Sequence, residues 1–285
     1  MTVAFVLSGG ASLGAVEVGM LKALAERGIT PDLVVGTSVG AVNGAWLAGH
    51  PGADLRELED VWLSIRRSAV FPADPLQGLA GFVGRRQGLV PQRGLRSLVQ
   101  SHLTFERIED APIPLHIVAV EVLTGRDVLL SSGPALDVVL ASAAIPGVFA
   151  PVEIDGVAYM DGGVVNNTPI SHAAALGADV IWVLCAGYAC ALSRPPKGAL
   201  GMGLHALSLV LHQQVIHDVE RFESTVELHV LPPLCPLDVS PSDFRHAREL
   251  IDRSYRASKQ WLDEDHGLVG QSQFLDLHQH QDPRG

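Results

Sequence analysis

The 285-residue sequence predicts an α/β fold of three layers, a central and mainly parallel sheet between two layers of helices. Three observations carry this expectation. Apolar runs of about four to eight residues alternate with longer stretches of helical periodicity, the pattern of strands buried on both faces and joined by crossover helices. Two strand-to-helix junctions, Ser8 to Gly14 and Gly36 to Gly40, are rich in glycine, as tight turns require. A composition of 47% hydrophobic and 18% charged residues supplies apolar surface for one large core.

The elements follow in order. Val3 to Leu7 (VAFVL) reads as a buried strand and Ala15 to Glu26 as the helix after it. Asp32 to Thr37 (DLVVGT) and Val39 to Ala48 repeat that pair. Asp54 to Arg67 and Gln92 to His102 look helical, and between them Val70 to Pro91 is rich in Gly and Pro and carries Phe71, Leu76, Leu79, Phe82 and Val83. This 70–91 segment reads either as a cap or interfacial patch, or as a connector folded onto the core. Leu115 to Val122 and Arg126 to Leu130 form a hairpin around Leu123-Thr124-Gly125, and Leu136 to Ala144 is a short helix ended by Pro146-Gly147. Val152 to Ile154 and Val157 to Met160 are short strands, Pro169 to Leu176 a helix with Gly177 past its end, and Asp179 to Leu184 a buried strand. Ser193 to Gly203 reads as a loop, Gly203 to Ser224 as a one-sided helix, Val226 to Leu231 as the last strand and Ser242 to Glu264 as a charged closing helix. Residues 1–265 are expected to form a single domain, and the polar, aperiodic tail over 266–285 to be disordered.

Three short motifs carry chemistry. Val35 to Ala41 reads V-G-T-S-V-G-A, a G-x-S-x-G set between a strand and a helix. Gly36 and Gly40 lack a Cβ, so the chain can fold tightly around Ser38 and leave its hydroxyl at a helix N-terminus, where acyl hydrolases place a nucleophile. An ordinary helix cap is the competing reading of Ser38. Ser8 to Gly14 (SGGASLG) presents successive backbone N–H groups, the material of an oxyanion hole or, more plainly, of a tight helix start. It is not G-x-G-x-x-G and no Lys-Ser/Thr follows Gly14, so nucleotide binding is not expected. Asp161, in Tyr159 to Asn167 (YMDGGVVNN), sits at a strand end before Gly162 and Gly163. That position suits a held carboxylate, but Asp before Gly is also a common turn former, and for Asp161 alone the turn is the favoured reading.

Together with Ala141 to Pro151 (ASAAIPGVFAP), these motifs resemble in order the signatures of the patatin-like phospholipase family, from about Val3 to about Ile181. The resemblance implies a patatin-like α/β domain and a serine lipid acyl hydrolase, of the phospholipase A or carboxylic ester hydrolase type. It implies a Ser-Asp dyad of Ser38 as nucleophile and Asp161 as base, with oxyanion donors at Gly9, Gly10 and Ala11. Gly14, Gly36, Gly40, Gly162 and Gly163 would be the supporting glycines. The expected substrate is a lipid or fatty-acyl ester met at a membrane surface, with no cofactor and no metal. A catalytically silent lipid- or partner-binding protein, and an acyltransferase using the same nucleophile, are the alternatives.

The chain departs from the family pattern in its first loop. The usual Gly-Gly-Gly-x-Arg/Lys-Gly is here Gly9-Gly10-Ala11-Ser12-Leu13-Gly14, without the third glycine and the basic residue. A Ser-Asp-His triad is the rival catalytic arrangement, with His172, His205, His212, His217 and His229 as its interior candidates. The formal net charge of −11 argues against nucleic acid and against electrostatic capture by anionic lipid. Lipid contact would be mainly hydrophobic. No apolar run reaches the roughly 18 residues of a spanning helix, and the N-terminus lacks a signal pattern, so a cytoplasmic protein, peripheral at a membrane, is expected. Cys185, Cys190 and Cys235 fit neither a disulfide framework nor a zinc site, and nothing specifies an oligomeric state.

Overall fold

The computed structural model describes residues 1–72, 87–187, 198–235, 237 and 239–264. Eight strands form one sheet: β1 (Val3–Leu7), β2 (Leu33–Thr37), β3 (Leu115–Glu121), β4 (Asp127–Leu130), β5 (Val152–Ile154), β6 (Val157–Asp161), β7 (Val180–Leu184) and β8 (Glu227–Val230). Their order is β5-β6-β3-β2-β1-β7-β8, with β4 also paired to β3. Pairings along β3-β2-β1-β7-β8 are parallel, whereas β4, β5 and β6 pair antiparallel. The expected mainly parallel sheet therefore carries an antiparallel flank.

Alternation along β1 divides the core in two. Phe5 and Leu7 enter a large cluster with residues of α1 (Ala15–Glu26), α2 (Val39–Gly49), α3 (Leu55–Ser64), α4 (Arg67–Val70), α5 (Arg93–Gln100), α6 (Ala135–Ser142) and α9 (Ala247–Asp263). Ala4 and Val6 enter a smaller one with Ile170 and Ala173 of α7 (Ile170–Ala175) and Val219 of α8 (Gly198–Phe222). Successive side chains of a strand point to opposite faces, so these two clusters are the two helical layers on the sheet.

Three boundaries differ from expectation. Residues 198–203, expected as loop, begin α8; extending a packed helix costs less than starting one, and each glycine opposes it by only about 1 kcal/mol. The Asp54 to Arg67 helix stops at Ser64, whose hydroxyl donates to the Val61 carbonyl, and restarts at Arg67. The closing helix begins at Ala247 behind a 3-10 turn over Phe244–His246 capped by Asp243. Cys185 is a free, buried thiol, while Cys235 is disulfide-bonded, a pairing its irregular spacing did not signal. Of the 70–91 segment, Phe71 stacks on Phe149 and the Val90 N–H donates to the Val148 carbonyl, so its described ends are packed; residues 73–86 and 265–285 lie outside the described residues. No helix among the described residues is long and apolar enough to cross a membrane.

The sheet register brings two of the three motifs together. β2 runs parallel to β3 and ends with Thr37 opposite Val118, while β6 runs antiparallel to β3 and ends with Asp161 opposite Ala119. Because β4 holds the other edge of β3 over Ile117 to Val120, β2 and β6 must share one edge and meet end to end. The residue after Thr37 is Ser38.

Above that junction α2 crosses β1 closely. A Cβ on Gly40 would lie 2.3 Å from the Leu7 carbonyl oxygen, a backbone atom that cannot step aside. Gly40→Ala is expected to cost at least about 3 kcal/mol, read as a lower midpoint in urea unfolding. An unchanged midpoint would contradict this packing.

Candidate active site

Ser38 is held in a conformation that serine rarely adopts. Its φ of 56° and ψ of −120° turn the chain sharply from β2 into α2. The Ser142 hydroxyl keeps the turn in place, accepting the Ser38 N–H at 2.8 Å and donating to the Val118 carbonyl at 2.6 Å. Gly36 makes room for the helix, since a Cβ there would meet the Gly40 carbonyl oxygen at 2.5 Å. The Ser38 carbonyl receives the Ala41 and Val42 amides, but its side chain makes no capping bond. Instead Ser38 Oγ donates to Asp161 Oδ2 at 2.7 Å.

Asp161 is held through both of its oxygens. Oδ2 receives Ser38 while Oδ1 caps the Gly162–Val164 turn by accepting the Gly163 N–H at 2.8 Å. The two glycines are steric necessities: a Cβ on Gly162 would lie 2.3 Å from the Val118 carbonyl oxygen, and one on Gly163 would lie 2.7 Å from Asn167 Oδ1. Burial raises the Asp161 pKa from 3.8 to about 6, against the opposing pull of the Ser38 and Gly163 hydrogen bonds. Such a carboxylate is ionised at neutral pH yet far more basic than a solvated one, which suits proton transfer.

The first loop lies against this pair. A Cβ on Gly9 would stand 3.2 Å from Ser38 Cβ. Gly9 donates its N–H to the Asn167 carbonyl at 3.0 Å and accepts from Asn167 Nδ2, so it fastens the loop and has no amide to offer a ligand. That corrects the expectation for Gly9. The Ser12 and Leu13 amides are also engaged, with the Pro241 and Gly10 carbonyls, whereas those of Gly10 and Ala11 have no recorded partner among the described residues. Ala11 keeps the backbone course of a glycine, at a φ of 51°. Leu13 is buried in the large core cluster, so the missing basic residue of this loop is replaced by packing.

A family model described as patatin-like phospholipase matches residues 5–174. The chain belongs to the patatin-like phospholipase family. An uncharacterized NTE family protein of Mycobacterium tuberculosis is 34% identical over 62% of this chain and 47% of its own length. Patatin-like phospholipase domain-containing protein 7 of Rattus norvegicus is 28% identical and lysophospholipase nte1 of Aspergillus terreus 30%, each over 65% of this chain, which spans only 14% and 12% of them. The crystal structure of VipD from Legionella pneumophila aligns over 92% of this chain and 67% of its own, with a TM-score of 0.49 and 15% identity.

Several groups at this patatin-like site escaped sequence reasoning. Asn43 donates to the Gly14 carbonyl and to Glu17 Oε2, and accepts from Trp62 Nε1, tying the first loop, α1, α2 and α3 together. Burial holds the Glu17 carboxyl well above its ordinary pKa, and a charged residue on the apolar stretch AVEVGM was its only sequence signal. Ser142 lies 104 residues from Ser38, which no local pattern reports.

The rival triad's candidate histidines are placed as follows where they are described. His172 bonds Asp127, His229 bonds Glu227 and stacks on Trp182, His217 is exposed beside Glu220, and His212 is buried. The His205 side chain is not among those described. No recorded hydrogen bond joins a histidine to Ser38 or Asp161, and no metal-holding cluster of His, Cys, Asp or Glu occurs among the described residues.

A cavity comprising about 820 Å³ of space between atoms, its mouth included, opens beside Ser38 and Ala11. Among the described residues its lining is apolar apart from Ser38, Asn43 and His102, and is supplied mainly by α2, α3, α5 and the aromatic rings of Phe71, Phe149 and Phe244.

Ser142→Ala would leave the buried Ser38 amide and Val118 carbonyl without partners. At about 1–3 kcal/mol for each of these two orphaned groups, a loss of roughly 2–6 kcal/mol is expected in urea unfolding, while Ser142→Thr keeps the hydroxyl and most of the stability. A neutral Ser142→Ala would show that the turn is held by something else.

Proposed function

We propose that this chain is a serine lipid acyl hydrolase that cleaves fatty-acyl esters through an acyl-enzyme, with Ser38 as nucleophile and Asp161 as base. The single observation that carries the reading is the 2.7 Å hydrogen bond from Ser38 Oγ to Asp161 Oδ2 beside an apolar cavity that Ser38 lines. Family membership and the printed names of relatives such as lysophospholipase nte1 support a lipid ester as the substrate class.

In the proposed cycle Asp161 takes the proton as Ser38 Oγ attacks the ester carbonyl, so nucleophile and base act within one hydrogen bond. Negative charge then develops on the carbonyl oxygen, where the Gly10 and Ala11 N–H groups are the available donors. Collapse expels the alcohol, which leaves with the proton from Asp161. Water, deprotonated by Asp161, releases the fatty acid and restores Ser38. The fatty-acyl chain would occupy the apolar cavity, and the −11 charge makes hydrophobic contact the expected mode of approach to a lipid surface.

A fluorophosphonate probe is expected to label the wild type and not Ser38→Ala; labelling of neither would move the reading to a lipid-binding role. Because Asp161 must be ionised, kcat/KM on a neutral ester should rise about tenfold per pH unit below about 6 and level off above it. A plateau reaching down to pH 4 would exclude this carboxylate as the base.

Asp161→Asn should lower turnover by about 10²–10⁴. Its effect on stability has a definite sign. The folded protein binds the Asp161 proton more tightly than the unfolded chain, so this carboxyl favours folding below pH 3.8, and that contribution is lost as pH rises to about 6. At pH 8 the variant is therefore expected to be the more stable protein, by up to about 3 kcal/mol, with the difference gone near pH 4. Equal melting temperatures at pH 8 would contradict the burial cost assigned to this group.

A further inference from the structure

We infer that the cavity beside Ser38 is an acyl chamber that selects acyl chains of medium length, and that Trp46 sets its length. The inference rests on the hydrolase reading above and adds a specificity to it. Val39, Val42, Asn43 and Trp46 line the cavity from one face of α2 at helical spacing, so the chamber runs along that helix away from Ser38. No residue of α2 beyond Trp46 lines it. The Trp46 indole is buried and stacked on His50 at 4.6 Å, which fixes its position. Behind it, Thr104 and Phe105 crowd Gly49 so closely that a Cβ there would lie 2.4 Å from Thr104 Oγ1. On the α2 side the chamber thus ends at packed side chains.

Eight residues of helix separate Ser38 from Trp46, a rise of about 12 Å, enough for an extended acyl chain on the order of ten carbons. The wall offers such a chain little polarity. Both N–H bonds of Asn43 are already spent on the Gly14 carbonyl and Glu17 Oε2, and its carbonyl accepts from Trp62. Each methylene that fits should raise kcat/KM about fourfold, and those beyond Trp46 should find no space.

The test measures kcat/KM on para-nitrophenyl butanoate, octanoate, decanoate and hexadecanoate, each below its micelle concentration. The wild type is expected to peak at octanoate or decanoate and to fall at hexadecanoate. Trp46→Ala should raise the hexadecanoate-to-octanoate ratio at least tenfold. Val42→Phe, which fills the chamber one turn from Ser38 and does not depend on the Trp46 packing, should move the maximum to butanoate. A wild-type rate still climbing at hexadecanoate, or folded variants with unmoved maxima, would overturn the chamber and leave the hydrolase reading intact. No turnover of any ester together with no fluorophosphonate labelling would overturn both.

Discussion

The hydrogen bond between Ser38 and Asp161 exists because two strands compete for one edge of β3. β2 occupies that edge as far as Val118, and β6 occupies it from Ala119 onward, so the chain leaving one strand meets the end of the other. A slip of the β6 register by one residue would turn Asp161 to the opposite face and remove it from Ser38. Much of the surrounding structure protects that meeting. Gly36, Gly40 and Gly162 let backbones approach where a Cβ would collide, Ser142 ties the Ser38 amide to β3, and Thr37 Oγ1 donates to the Asn166 carbonyl at 3.0 Å to join the end of β2 to the turn after Asp161.

The arrangement costs stability. Ser38 and Ala11 both carry positive φ, and Asp161 is a carboxylate stripped of water with two hydrogen bonds in return. Such local costs are tolerable only when a large, ordinary core offsets them, and here both faces of the sheet are covered by packed apolar side chains. The same burial that makes Asp161 expensive makes it basic. A solvent-exposed aspartate at the same distance from Ser38 would be a weaker base by roughly two powers of ten.

Much of this was legible in the sequence, for physical reasons. Buried strands such as VAFVL and VIWVL are continuous apolar runs, and tight turns need glycine, so β1, β2, β7 and the three motifs could be read directly. Contacts distant in the chain could not be read in that way. Nothing around Ser142 or Asn43 reports that they hold the first loop and the Ser38 turn, because their partners are set by sheet order. Gly9 looked like an oxyanion donor beside Gly10 and Ala11, and only its bond to Asn167 removes it. The start of α8 is not legible in the sequence because glycine weakens a helix without forbidding it.

The central claim is that Asp161 is a buried base coupled directly to Ser38, and carboxyl-selective NMR titration of Asp161 in the wild type and in Ser38→Ala tests it. The wild-type carboxyl is expected to titrate at about 6. Because the Ser38 hydrogen bond holds that value down, removing the hydroxyl should move the titration upward. An Asp161 that titrates near 3.8, or one whose titration is the same in both proteins, would contradict the account.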